Sequence, residues 1–230
     1  MQFNIGLENN VEGRSIAWVL GQPGCFSYGK DGIEALSAAP EAIQAYAAWV
    51  EFHTEHSWLP VEEPCIHLAD TFECYTIGED FELATDGYEV NAWFRDDWKP
   101  LTAEDLVRGL LALAWSRVDL LETVQGLSGE VLERQYPGER WNIAGILKHT
   151  GGAEWWYMDR LGLAFPRQEV PSDPFERLEK VRTHLIQVLP GLVGSNQVLG
   201  IDGEFWSPRK LLRRAAWHER DHTAHIRKLL

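Results

Sequence analysis

The chain has 230 residues, enough for two ordinary domains that bury their cores without disulfides, and its 45% hydrophobic and 24% charged residues are those of a folded globular protein. Its formal charge of −14 lies in residues 1–100, which carry 4 Lys/Arg against 18 Asp/Glu; residues 101–230 carry 17 of each. That asymmetry predicts two modules and argues against nonspecific nucleic-acid binding, which needs cations against phosphates. It suits solubility or a basic partner.

In chain order, QFNIGLE alternates apolar and polar residues, and SIAWVLG follows the turn-forming NNVEG, which predicts a two-stranded hairpin. Pro23, Gly24, Gly29 and Gly32 then punctuate the sequence and leave room for one short strand at Cys25 to Tyr28. IEALSAAPEAIQAYAAWVEF, residues 33–52, has apolar residues at helical spacing, with Pro40 expected to kink or restart the helix. Residues 65–77 and 87–94 return to β-type alternation. The first module is therefore expected to be α+β, a small antiparallel sheet with one helix. The opening strand pair, the PGCFSYG turn at Pro23 to Gly29 and the EAL helix running to Tyr46 resemble the HicB-like fold. That resemblance implies a HicB-like domain over residues 1–98 acting as a protein-interaction surface. Some relatives of this kind are antitoxins that block an RNase partner, but no DNA-binding element is found in this sequence.

After WKPLT, with Pro100 as punctuation and Thr102 as a helix cap, the pattern becomes helical. AEDLVRGLLALAWSRVDLLETVQGL is the first helix, with Gly126 near its end. WNIAGILKHTGGAEWWYMDRLG is the second, after the Pro137-Gly138 turn. DPFERLEKVRTHLIQVLPGL is the third, capped by Asp173 with Pro174 at its first position and stopped by Pro190; the fourth runs from Ser207-Pro208 to Leu230. Four amphipathic helices of this length predict an up-down four-helix bundle over residues 101–230, whose core can hold a metal. The whole chain is thus read as a two-domain α+β protein.

Three cysteines, Cys25, Cys65 and Cys74, form no CxxC pair and leave one over, which predicts a reducing compartment and a structural role for Cys25. MQFNIGLENN lacks the basic start and apolar run of a signal peptide, and no stretch reaches the roughly 18 apolar residues of a span. A cytoplasmic protein without membrane contact is expected.

The chemistry is concentrated in histidines. His218 and His222 are one helical turn apart and share a face, the spacing that lets two imidazoles meet one cation, and His225 stands close to that face. His149 lies on the second helix among Gly145, Gly151 and Gly152, poor helix formers whose clustering implies close helix approach or access to a pocket. HERDH also reads literally as the H-E-x-x-H of zinc proteases, with Glu219 as general base. The extended protease motif, however, would place Gly where His225 stands, and Glu219 otherwise reads as solvent-facing or as orienting a ligand from outside. His53 and His56 at a helix end, His67 on a strand and His184 on the third helix read as structural or surface residues. Trp155, Trp156 and Tyr157 read as core and rim, with Trp115, Trp156 and Trp217 as walls of an apolar pocket.

The spacing of ERWNIAGILKHTGGAEWWYMDRLG, a third helix, and RKLLRRAAWHERDHTAHIRKLL resembles the DinB/YfiT-like superfamily over residues 101–230, including the tryptophan shortly before the first histidine. The resemblance implies a divalent metal, zinc or nickel, on His149, His218 and His222. His225, where many relatives have Gln, would stand behind the ligands. It further implies a metal-dependent enzyme of thiol-dependent S-transferase or hydrolase type, acting on a small molecule with a low-molecular-weight thiol such as bacillithiol or mycothiol, and a possible homodimer. No separate catalytic acid or base stands out. The competing expectation is a non-catalytic metal-binding stress or regulatory protein.

Overall fold

A computed structural model describes residues 1–59 and 63–230 of the chain. It divides into two compact units, residues 1–100 with 196–210, and residues 101–195 with 211–230. Residues 196–210, read from sequence with the helical half, group with the first unit.

The first unit is built on strands β1 (Gln2–Val11), β2 (Arg14–Val19), β3 (Phe26–Gly29) and β4 (Cys65–Glu73), with helix α1 (Gly32–His53) between β3 and β4. Phe3, Ile5 and Leu7 alternate into the core, the two-residue period of a half-buried strand. The sheet order is β3-β2-β1-β4, and β4 pairs with β1 in parallel. The sheet is therefore mixed, not antiparallel as expected: β1, β2 and β3 are joined by tight turns that reverse the chain, whereas α1 is a crossover that returns β4 in the direction of β1.

Helix α1 is capped by Asp31, whose carboxylate accepts from Glu34 N, and it buries Ala35, Ala39, Ile43, Tyr46, Ala47 and Val50. It runs through Pro40 without the expected restart. Gly29 sits where the chain enters this helix, and a Cβ there would lie 2.1 Å from Ala35 N. Gly29→Ala should destabilise the first unit by about 1–3 kcal/mol through overpacking, read as a lower denaturation midpoint.

Residues 87–94, expected as a strand, form only the two-residue strand β6 (Tyr88–Glu89), paired with β5 (Thr76–Ile77). Val90 N still donates to Tyr75 O, but past it Asn91 N, Ala92 N and Phe94 N bond to the carboxylates of Glu204, Glu8 and Asp97 instead of a neighbouring strand. The hairpin of β7 (Leu199–Ile201) and β8 (Glu204–Trp206) was not anticipated. Its Asp202-Gly203 turn, with φ of 51° and 74°, is the Asp-Gly signal for such a turn and was readable in the sequence.

The second unit carries helices α2 (Ala103–Val124), the single turn α3 (Gly129–Leu132), α4 (Ile143–Asp159) and α5 (Pro174–Val188), and most of α6 (Pro208–Leu229). Thr102 and Asp105 cap α2 reciprocally, each side chain accepting from the other's backbone N at 3.0 Å. Asp173 caps α5 with Pro174 in its first turn, as read from sequence.

One apolar cluster joins Leu120 and Val124 of α2, Ile143, Ile146 and Leu147 of α4, Leu178 of α5 and Ile226 of α6. Glycines set the closest approaches. A Cβ on Gly109 would meet the Leu212 side chain at 2.5 Å, and one on Gly151 would meet Arg177 at 3.0 Å and Leu178 N at 3.4 Å. The close helix approach expected around His149 is thus made at Gly151, between α4 and α5. Among the described residues, no helix is long and apolar enough to cross a membrane.

Candidate metal centre

His149 projects from the middle of α4, and His218 and His222 from one face of α6. Asn142 starts α4 by accepting from Gly145 N at 2.7 Å, which fixes where His149 falls on the helix. The Nε2 atom of His218 lies 3.1 Å from Nε2 of His149 and 3.1 Å from Nε2 of His222. Ring centroids are 4.4–5.0 Å apart, with the planes steeply inclined. Among the described residues this is the one group of three His, Cys, Asp or Glu side chains close enough to share an ion.

The donor set fits a divalent metal. Tetrahedral coordination with bonds of about 2.0–2.1 Å puts nitrogens about 3.3 Å apart, close to the spacing seen. Burial, and then the nearby Arg140 guanidinium, hold His149 down to about 4. Burial, followed by His222, His149 and Arg214, holds His218 well below the usual imidazole range. These rings are neutral at pH 7, as ligation requires.

The same shifts fix a pH dependence. The folded values lie below the unfolded one, so the unfolded chain binds more protons as pH falls through 6.5 and stability drops in that direction. Metal-free protein should lose about 2 kcal/mol between pH 7.5 and pH 5 from His149 alone, measured by urea denaturation; equal midpoints at the two pH values would contradict the neutral-ring assignment.

Aromatic rings shape the surroundings. Trp141 stacks on His149 with centroids 4.3 Å apart and planes at 24°, and the Arg140 guanidinium lies 4.5 Å over Trp141. Tyr157 and Trp217 stand 6.0 and 5.4 Å from His218. The sequence points to Trp217 beside the metal but to Tyr157 only as core and rim; both lie beside His218. His225 bonds through Nε2 to Glu139 at 2.8 Å and stands 6.2 Å from the His222 ring, outside the trio.

Glu219 corrects the sequence reading most. It is 1% exposed and does not face solvent. Its Oε1 accepts from Ser116 Oγ at 2.8 Å and Arg182 at 3.0 Å, and its Oε2 from Arg117 Nε at 2.8 Å. Burial would raise its pKa, but Arg182 and Arg117 outweigh that and hold it below the usual carboxylate range. Arg182 is raised in turn: burial opposes its charge, and Glu154 with Glu219 restores it. A carboxylate so committed is not placed to serve as the base of a zinc protease.

The other histidines stay apart from the trio. His184, expected at the surface, is half-buried because the loop after α4 folds over α5, bringing Leu163 O within 2.7 Å of its Nε2. His67 is exposed on β4, and His53 packs against Trp49 and Phe52. Cys25 is buried, in keeping with a structural role.

In comparison with known proteins, the family described as the DinB superfamily matches residues 112–226, a span that contains all three histidines of the centre. No curated protein and no solved structure matches the chain.

Proposed function

The chain belongs to the DinB superfamily, and from that premise we propose that residues 101–230 form an up-down four-helix bundle in which His149, His218 and His222 hold one divalent ion, zinc or nickel. The observation that carries this reading is the convergence of three imidazoles, with Nε2 atoms 3.1 Å apart in two of the pairs. Three protein ligands leave a coordination position open, the pattern of reactive rather than structural sites.

Bound there, a divalent ion would supply Lewis acidity to a water or thiol entering that position. The chain's residues supply the rest. The stack of Arg140, Trp141 and His149 fixes the plane of one ligand and shields its face from water, and the buried rings of Tyr157 and Trp217 give His218 apolar surroundings. The reaction class that fits is thiol-dependent S-transfer or hydrolysis on a small molecule, with a low-molecular-weight thiol as cosubstrate. Residues 1–98 are read as a HicB-like domain, a reading supported by the four-stranded sheet under α1 and the Pro23 to Gly29 turn; its acidic charge suits a basic protein partner. The setting in this reading is cytoplasmic.

A second reading, a metal-binding regulatory protein without catalysis, is favoured by one observation: the carboxylate beside His218 in sequence is held by Arg117, Arg182 and Ser116 and is not free to act as a base. Elemental analysis combined with a thiol-transfer screen separates the two. Metal at about one equivalent with turnover of an electrophile supports the enzyme; metal without turnover by any cellular thiol supports the regulatory protein.

A further inference from the structure

The three imidazoles of the centre have little reason to converge by themselves. A neutral ring carries one N–H, so one Nε2–H can bond the lone pair of a neighbour at the 3.1 Å seen, but of three Nε2 atoms pointed at one another at least two carry the same group, lone pair or proton, and oppose each other. Something other than mutual attraction must hold them before an ion arrives. The apolar cluster shared by α2, α4, α5 and α6 is non-directional and tolerates sliding. A directional constraint on the same two helices is present within the unit.

Arg182 of α5 is 5% exposed and forks onto Glu154 of α4, its Nε reaching Oε1 at 2.9 Å and its second terminal nitrogen reaching Oε2 at 2.8 Å. The same nitrogen reaches Glu219 of α6 at 3.0 Å, and the other terminal nitrogen bonds Leu113 O of α2. Arg117 of α2 adds bonds to Glu219 and to Leu178 O of α5. One guanidinium therefore joins α4 to α6, the two helices that supply all three histidines.

Glu219 follows His218 directly, about 1.5 Å along the axis, and Glu154 is five residues beyond His149, about 7.5 Å along. At about 100° per residue, the carboxylates leave their helices on faces different from those of the imidazoles. Anchors on two faces of one helix pair restrict both rotation and slide, which neither does alone. Stability alone is a poor reason for such a network, because buried ion pairs are often no better than apolar residues of like volume. Setting a register is their best-attested use.

Resting on the reading of the trio as a metal centre, we propose that Arg182 is the positioning residue of that centre: its fork between Glu154 and Glu219 sets the register in which His149 meets His218 and His222.

The test is a Co²⁺ titration of the chelator-stripped full chain, followed by visible ligand-field absorption, on the wild type, Arg182→Lys, Glu154→Gln and Leu185→Ala. Lysine keeps the charge but loses the fork, glutamine keeps the shape, and Leu185 is a buried α5 residue that makes none of the fork's hydrogen bonds and whose truncation lowers stability. The Kd for Co²⁺ should rise at least tenfold, with altered band intensities, in Arg182→Lys and Glu154→Gln, and stay within about twofold in Leu185→Ala. An unchanged Kd in Arg182→Lys overturns the proposal. So does equal weakening in Leu185→Ala, or failure of both network variants to fold, since either result makes the network structural only. A wild type that binds no Co²⁺ overturns the metal reading itself and the inference with it, a result distinct from wild-type binding that the variants leave intact.

Discussion

Replacing Arg182 by leucine is expected to destabilise the helical unit by about 3–5 kcal/mol, among the largest effects of any single change in the chain. The substitution leaves Glu154 and Glu219, 3% and 1% exposed, without the guanidinium that both carboxylates share. Arg117 still reaches Glu219 at 2.8 Å but stands 3.9 Å from Glu154, so one carboxylate loses its close partner entirely. In a chain of this size the thermal midpoint should fall by about 10 °C or more. Replacing all four charged residues together by apolar side chains of similar volume should recover most of that loss, because no buried charge is then left unpaired. Thermal denaturation of the two variants decides the point. A single Arg182→Leu chain that melts with the wild type would mean that the buried network does not carry the expected electrostatic load.

His149→Ala should remove most of the metal while leaving the helical signal largely intact. His149 meets His218, His222 and Trp141 and is not among the buried residues of the apolar cluster, so its loss leaves that core standing. The site is left with two imidazoles on α6, a ligand number too small for tight binding by zinc or nickel. Metal content should drop from about one equivalent to a small fraction of that, measured by elemental analysis beside circular dichroism. Retention of metal in this variant would overturn the three-histidine site.

Much of the centre was legible in the sequence because its signal is local. His218 and His222 are a turn apart on one helix, and the glycines beside His149 betrayed a close approach that Gly151 makes against α5. The capping residues Thr102 and Asp173 were legible for the same reason, since a cap acts within three residues. Glu219 was misread because its partners are far away in sequence. Arg117 and Arg182 lie 102 and 37 residues before it, and nothing in the pattern of α6 says that a charged side chain turns inward. Residues Leu211 to Glu219 are buried as an unbroken run that includes Arg213, Arg214, His218 and Glu219, so hydropathy assigned an outer face to a helix that is largely enclosed. The parallel pairing of β4 with β1 was hidden likewise, because alternation marks a strand but not its neighbour. Residues 91–94 alternate convincingly and are still not a strand, the donors of Asn91, Ala92 and Phe94 being taken by Glu204, Glu8 and Asp97 from distant parts of the first unit or from the next turn.

X-ray absorption at the metal edge of the loaded 230-residue chain bears most directly on the three-histidine centre. The arrangement of His149, His218 and His222 predicts one ion per chain with three imidazole nitrogens at about 2.0–2.1 Å and a remaining light-atom ligand. In protein loaded without thiol, sulfur in the first coordination sphere, two or fewer imidazoles, or no stoichiometric ion would contradict it.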